Sequence, residues 1–176
     1  MNIRPTRIED IDLLLAIEDS AGESFRDIPD LAWVADDDAM STEMHLQYVL
    51  QGTSWVAEVD DQLIGFVCAE SADSNLHICE LAVRREWQHQ GIGRRLMKAT
   101  IEHARGNQFQ AVTLTTFKEI PWNEPFYRSL GFEIIDQEKL NARLEQILHA
   151  EIQHGFPSSL RCAMRLLIAT DHEKNA

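Results

Sequence analysis

No apolar run in this 176-residue chain is long enough to cross a bilayer as a helix, so no membrane partner is expected. The N-terminus lacks the apolar core of a secretory leader: Arg4, Arg7, Glu9 and Asp10 stand there instead. Cysteine is scarce. Cys68, Cys79 and Cys162 are odd in number and widely spaced, which argues against a disulfide framework and fits reduced thiols in a cytoplasmic protein. Metal-ligand spacing is missing too. His149 and His154 are five apart, off a common helical face, and no metal site is expected. Positive charge is the minority sign, with 16 Lys and Arg against 29 Asp and Glu, for a net charge of −13. That balance opposes nucleic acid, whose binding depends on phosphate neutralisation. Repeats, low-complexity tracts and linkers are absent. Residues 1–170 therefore read as one domain and 171–176 as a frayed tail.

The charge is unevenly placed. Between residues 84 and 98, Arg84, Arg85, Arg94, Arg95 and Lys98 face Glu86 alone, a local charge of +4. Between residues 9 and 43, twelve carboxylates face Arg26 alone, a local charge of −11. A small basic island suits a polyphosphate ligand, and an acidic region suits a cationic one or simply a solvated face.

Hydrophobic periodicity predicts alternating elements. Strands are expected over 2–5, 55–59, 63–69, 76–83, 111–117, 132–135 and 161–168. Thr6 and Glu9 fit a capping box ahead of a helix carrying Ile8, Ile11, Leu14, Leu15 and Ile17, with Gly22 as its stop. Residues 23–40 read as a loop. Ser41 caps a second helix through Leu46, Val49 and Leu50 to Gly52. A third runs from the glycine loop to about residue 105, with Ile92, Leu96, Ala99 and residues 101–104 as its apolar stripe. A short helix is expected at 124–130 and an amphipathic one at 138–152, with Leu140, Leu144, Ile147, Leu148 and Ile152 on one face. The fold class is α/β: a mixed, mostly antiparallel twisted sheet flanked by helices, with a helix between the last two strands.

The run Gln88-His89-Gln90-Gly91-Ile92-Gly93-Arg94 sits between a strand and a helix. Glycines let bare backbone approach a ligand, and the first N–H groups of a helix lack internal partners, so such a loop can hold a diphosphate. A Walker loop would need Lys-Ser/Thr after Gly93, and a dinucleotide fold would need a third glycine where Leu96 stands. About thirty residues on lies Asn123-Glu124-Pro125-Phe126-Tyr127, followed by Gly131-Phe132.

Gln-x-x-Gly-x-Gly after a Leu-Ala-Val strand, then Phe-Tyr-x-x-x-Gly-Phe after an asparagine turn, resembles the GNAT N-acetyltransferase superfamily. The resemblance covers most of the chain. It implies acetyl-CoA as co-substrate, with backbone groups of Leu81, Ala82 and Val83 along the pantetheine arm and of Gln88, His89, Gln90, Gly91, Ile92, Gly93 and Arg94 around the diphosphate. It also implies that the strands at 76–83 and 111–117 splay apart, that Leu81 N–H bonds the thioester carbonyl, that Asn123 contacts the cofactor and that Tyr127 is the general acid. Only three residues separate Asn123 from Tyr127, fewer than is common in the family. Glu80, a carboxylate in an apolar strand, is the candidate general base or a substrate-binding anion. Cys79 should point to the opposite sheet face, and His45 and Tyr48 lie in the region that lines the acceptor site in the family. The function implied is transfer of acetyl to a primary amine, with a small cationic amine favoured by the acidic segment. A non-catalytic acyl-CoA sensor and a protein or peptide N-acetyltransferase remain the alternatives. The helix at 138–152 and the last strand offer a possible homodimer contact.

Overall fold

The computed structural model describes residues 1–168. In chain order its strands are β1 (Asn2–Pro5), β2 (Ser54–Val59), β3 (Gln62–Ala72), β4 (Asn75–Val83), β5 (Ala111–Phe117), β6 (Glu133–Ile134) and β7 (Arg161–Leu167). Its α-helices are α1 (Ile11–Gly22), α2 (Thr42–Gln51), α3 (Ile92–Gly106), α4 (Glu124–Arg128) and α5 (Ala142–His154). The sheet order is β1-β2-β3-β4-β5-β7-β6. β4 and β5 run parallel, while β1–β2, β2–β3, β5–β7 and β6–β7 are antiparallel. This is the mixed sheet flanked by helices that the sequence predicts, with α5 between the last two strands. The expected tail at 171–176 lies outside the described residues. None of the helices among them is long and apolar enough to cross a membrane.

Two compact units make up the chain: Met1–Glu70 with Ile78–His103, and Ser71–His77 with Ala104–Ala176. In the first, β2 and β3 meet at Asp60-Asp61, both with positive φ (48° and 62°). That backbone matches the strand twist of a tight hairpin, and aspartate tolerates it better than most residues. Leu14, Ile17, Tyr48, Val56, Leu63, Phe66, Cys68 and Ala82 form the core. Gly65 is required by close approach: a Cβ there would lie 2.9 Å from the Ala82 carbonyl oxygen.

The start of α1 departs from expectation. Thr6 does not cap it; its hydroxyl lies 2.7 Å from that of Ser54. Asp10, not Glu9, accepts the Arg7 N–H at 2.8 Å, and a 3₁₀ turn over Ile8–Asp10 precedes the helix. The reason is tertiary. Arg4 on β1 binds Asp10 at 2.7 Å and Glu58 of β2 at 3.1 Å, so Asp10 is drawn in and Ile8 is left exposed. The 23–40 segment is more ordered than a loop, with 3₁₀ turns at Glu23–Phe25 and Pro29–Asp36 anchored by buried Leu31. Ser41 does cap α2, accepting the Met44 N–H, and Gly52 ends it with φ +72°. The buried face of α2, however, is His45 and Tyr48, while Leu50 is exposed. In α3, Met97 and Thr100 join Ile92, Leu96, Ile101 and Ala104 in burial.

In the second unit β5 pairs with β7 along its whole length, from Ala111↔Leu167 to Phe117↔Arg161. Its ladder with β4 covers only Asn75–His77 against Ala111–Thr113. The expected helix at 138–152 begins later, at Ala142, with Asn141 as its cap. Leu144 is buried, and Leu140, Ile147 and Leu148 pack on Ile135 and Ala163. Ile152 is not part of that face. The last turn is held by charge instead: Glu151 accepts from Thr115 at 2.5 Å and from Arg161 at 2.7 and 2.9 Å. The Arg161 guanidinium also lies over the Phe117 ring, 4.4 Å from its centre.

Candidate functional site

The glycine loop belongs to the first unit. Its backbone is set before α3 begins: His89 and Gly91 have φ +61° and +78°, and the first helical bond runs from Arg95 N–H to Gly91 carbonyl at 3.2 Å. A Cβ at Gly91 would meet nothing within 4 Å, so the turn opens onto free space. Helix geometry leaves the N–H groups of Ile92 and Gly93 without intrahelical acceptors, at the positive end of the helix dipole. The Gln88 side chain fixes the loop to its neighbours. It donates to Val83 carbonyl and accepts from Ser24 hydroxyl, both at 3.0 Å. Gln88 therefore contributes anchoring through its side chain, a role the loop motif alone does not reveal. Gln90 similarly reaches back to Glu86 carbonyl at 3.3 Å.

The basic island is partly committed inside the protein. Arg84 donates to Leu63 carbonyl at 3.0 Å, and Arg85 lies 4.0 Å from Glu23 and 3.9 Å from Asp27. Lys98 is 3.8 Å from Glu102, one helical turn on. Arg94 and Arg95 are exposed on the first turn of α3. This set of donors, open backbone and helix terminus fits a diphosphate. Among the described residues, no group of three His, Cys, Asp or Glu side chains is placed to hold a metal ion.

Leu81, Ala82 and Val83 end β4 beyond its short ladder with β5. The Leu81 N–H donates to the Glu80 carboxylate at 3.1 Å. The donor expected to polarise a carbonyl is thus covered by the neighbouring side chain, and Glu80 must release it for a ligand to use it. Cys79 is half-buried beside Tyr48, and burial pushes its thiol up to about 11. Burial raises Cys68 as well. Thiols so protonated are poor nucleophiles.

Sequence reasoning misses a second carboxylate in this unit. Glu18, on α1, accepts the Met40 N–H at 3.1 Å through Oε1, while its Oε2 is buried without a hydrogen bond. Oε2 lies 3.9 Å from Nε2 of His45. His45 is fully buried, edge-on to Phe66, and neither ring nitrogen has a hydrogen-bond partner. Burial pushes Glu18 up to about 8, with Glu80 the next contributor, and burial also lowers His45. One signal of it stands in the chain: Leu14, Ile17, Glu18 and Ala21 share a helical face, so a charge lies within an apolar stripe.

In the second unit Asn123 sits at the start of α4. Its amide donates to Thr116 at 3.1 Å, and its Oδ1 is buried without a partner. It does not cap α4 through its side chain. Tyr127 is buried, with Phe126 and Phe132 edge-on at 5.1 and 5.8 Å. Its carbonyl accepts the Phe132 N–H at 3.1 Å across the Gly131 turn. The Phe-Tyr-x-x-x-Gly-Phe motif is therefore a closed local unit that fixes the ring.

A sequence profile of the acetyltransferase (GNAT) family matches residues 16–132. Among curated proteins, the chain is similar to a probable N-acetyltransferase camello of Xenopus laevis, 35% identical over 82 residues, which is 45% of this chain and 37% of that protein. It is also similar to N-acetyltransferase 8F1 of Rattus norvegicus, 28% identical over 116 residues, 61% of this chain and 52% of that protein. Only about a third to a half of each relative is spanned. Among solved structures, the PaiA N-acetyltransferase of Thermoplasma acidophilum, in complex with coenzyme A, superposes with a TM-score of 0.69 at 16% identity, covering 95% of this chain and 98% of that one. With the profile spanning residues on both sides of the glycine loop and ending at Phe132, the chain belongs to the acetyltransferase (GNAT) family.

Proposed function

We propose that the protein is an acyl-CoA-dependent N-acetyltransferase that moves the acetyl group of acetyl-CoA to a primary amine by direct attack in a ternary complex. The observation that carries this reading is the glycine loop: open at Gly91, ahead of α3, in a chain of the family whose profile it matches. Backbone groups of Gln88, His89, Gln90, Gly91, Ile92, Gly93 and Arg94 hold the diphosphate, and those of Leu81, Ala82 and Val83 hold the pantetheine arm. Asn123 is assigned to cofactor binding by its motif position, and its unpartnered Oδ1 supports that.

Transfer requires a neutral amine, a polarised carbonyl and a proton for the departing thiolate. Glu80 accepts a proton from the amine. Leu81 N–H, once released by Glu80, stabilises the oxyanion. Tyr127 donates to the thiolate, a role that rests on its place in the second motif. The acidic segment at 9–43 favours a small cationic amine as acceptor over an anionic one.

The test is release of free CoA across polyamines, amino acids, amino sugars and peptides, with acetyl-CoA binding measured separately. Gly91→Glu should abolish binding in a folded protein. Gly91→Asn, which tolerates positive φ and adds no charge, should retain most of it. Equal binding by wild type and Gly91→Glu would overturn the cofactor assignment. Acceptance of peptides alone would replace the small amine by a polypeptide acceptor.

A further inference from the structure

An acceptor that arrives as an ammonium ion ends as an amide, so its nitrogen gives up two protons. One must leave before attack, because only the neutral amine carries a lone pair. The second leaves from the tetrahedral adduct. Glu80 alone accounts for one of them.

The first unit holds a second acceptor. Glu18 Oε2 and His45 Nε2 face each other at 3.9 Å, both buried and both without hydrogen bonds. With the imidazole proton on Nδ1, Glu18 Oε2 and His45 Nε2 are two unsatisfied acceptors, which is costly in a buried setting. A proton on Glu18 removes the conflict once the pair closes from 3.9 Å to hydrogen-bond distance, since the carboxyl O–H can then donate to the neutral imidazole. The Glu18 side chain keeps about 20% exposure and His45 has none, but Oε2 itself is buried, so a proton taken from the solvent side reaches His45 only when the carboxyl group turns over.

We propose that Glu18 is the proton acceptor for the incoming ammonium and that His45 positions it by receiving the Glu18 O–H. This rests on the amine-acetyltransferase reading above. Glu18 acts in its ionised form: in the first step the N–H bond of R–NH₃⁺ breaks and a Glu18 O–H bond forms, leaving R–NH₂, and Glu18 returns that proton to solvent before the next turnover. The amine then attacks the thioester, and Glu80 takes the second proton from the adduct nitrogen. Tyr127 protonates the thiolate. The charged and titratable groups around Glu18 are Asp19 on its own helix, Asp37 before α2, His45 on α2, and Glu80 on β4. Cys68 on β3 is also within its field. Burial first, and then Glu80, Asp19 and Asp37, push the Glu18 carboxyl up to about 8, which brings its proton affinity closer to that of an amine.

The experiment compares wild type, Glu18→Gln and Glu80→Gln on two acceptors of similar size, an alkylamine that arrives charged and a low-basicity amine that arrives neutral at pH 7. With the alkylamine, Glu18→Gln should lower kcat/KM about 10²-fold or more at pH 7, and the loss should shrink above pH 9. With the neutral-arriving amine, Glu18→Gln should stay within a few-fold of wild type, whereas Glu80→Gln should lose activity on both. Acetyl-CoA affinity should be unchanged in Glu18→Gln, which also reports its fold. Carboxyl carbon NMR should show Glu18 titrating well above the ordinary carboxylate range. Equal losses on both amines, an unaltered pH profile, or a Glu18 carboxyl titrating near 4 would overturn the role of Glu18 alone. Wild type that transfers acetyl to no amine would overturn the enzymatic reading, and this proposal with it.

Discussion

Tyr127 is buried against two phenylalanines, so its ring and its hydroxyl can be separated experimentally. Tyr127→Phe keeps the ring. If the hydroxyl supplies the thiolate proton, turnover should fall roughly 10²–10⁴-fold with acetyl-CoA affinity little changed. Steady-state kinetics with a pre-steady-state check on the chemical step decide it, and wild-type turnover would leave Tyr127 as a packing residue. His77 makes a different, structural prediction. It is buried with Nδ1 3.0 Å from the Thr113 hydroxyl, and burial pushes it down to about 4. Between pH 6.5 and 4 the unfolded chain takes up a proton that folded His77 refuses. Stability from this residue is present above 6.5 and lost as pH falls toward 4, by ~3 kcal/mol in all. Urea unfolding at pH 7 and pH 4.5 should show a smaller acid loss in His77→Gln than in wild type. Equal losses would mean that folded His77 accepts the proton.

At the scale of elements, β3 and β4 are held at close range by Gly65. Gly65→Ala would place a methyl 2.9 Å from Ala82 carbonyl oxygen and 3.2 Å from Val83. Backbone cannot yield as a side-chain tip does, so a loss of about 1–3 kcal/mol is expected. Because Ala82 and Val83 are proposed to line the pantetheine arm, acetyl-CoA affinity should fall as well. Thermal unfolding and calorimetric titration check the two effects, and an unshifted Tm would show that the strands can part. Most element boundaries are legible in the sequence: the 111–117 strand, the Ser41 cap and the Gly52 stop rest on local backbone chemistry. The start of α1 is not. Asp10 replaces Thr6 and Glu9 there because Arg4, on a neighbouring strand, draws the carboxylate in. Nor is the end of α5, where Glu151 meets Arg161, 10 positions further along the chain and on a strand.

For the whole molecule, the relevant quantity is charge. The chain carries −13, concentrated in residues 9–43. This region is not uniformly available: Asp36 is bound by Arg26 at 2.8 Å, and Glu23 by the same guanidinium at 2.9 Å. Steering of a cationic acceptor would then fall more on exposed Asp38 than on Asp36. The expected outcome is that kcat/KM for a cationic amine drops as ionic strength rises, while that for a matched neutral amine does not. Changing Asp38 to Asn should flatten the first dependence. Equal salt dependence for both amines would leave the acidic segment as a solvated surface.

The sequence by itself determined the family, the α/β sheet and the place of the glycine loop between β4 and α3. These depend on periodicity and on glycines at fixed spacing, both local to the chain. It also determined that Glu80 is unusual, since a carboxylate in an apolar strand is visible as a break in pattern. Tertiary structure alone decided what the carboxylates do to one another. Glu80 covers the Leu81 N–H that was expected to be open, and Glu18 lies against His45 with no hydrogen bond between them. Glu18 and His45 are 27 positions apart and sit on different helices. Proton affinity depends on distance and on the exclusion of water, and neither exists until α1, α2 and the strands pack around a common core.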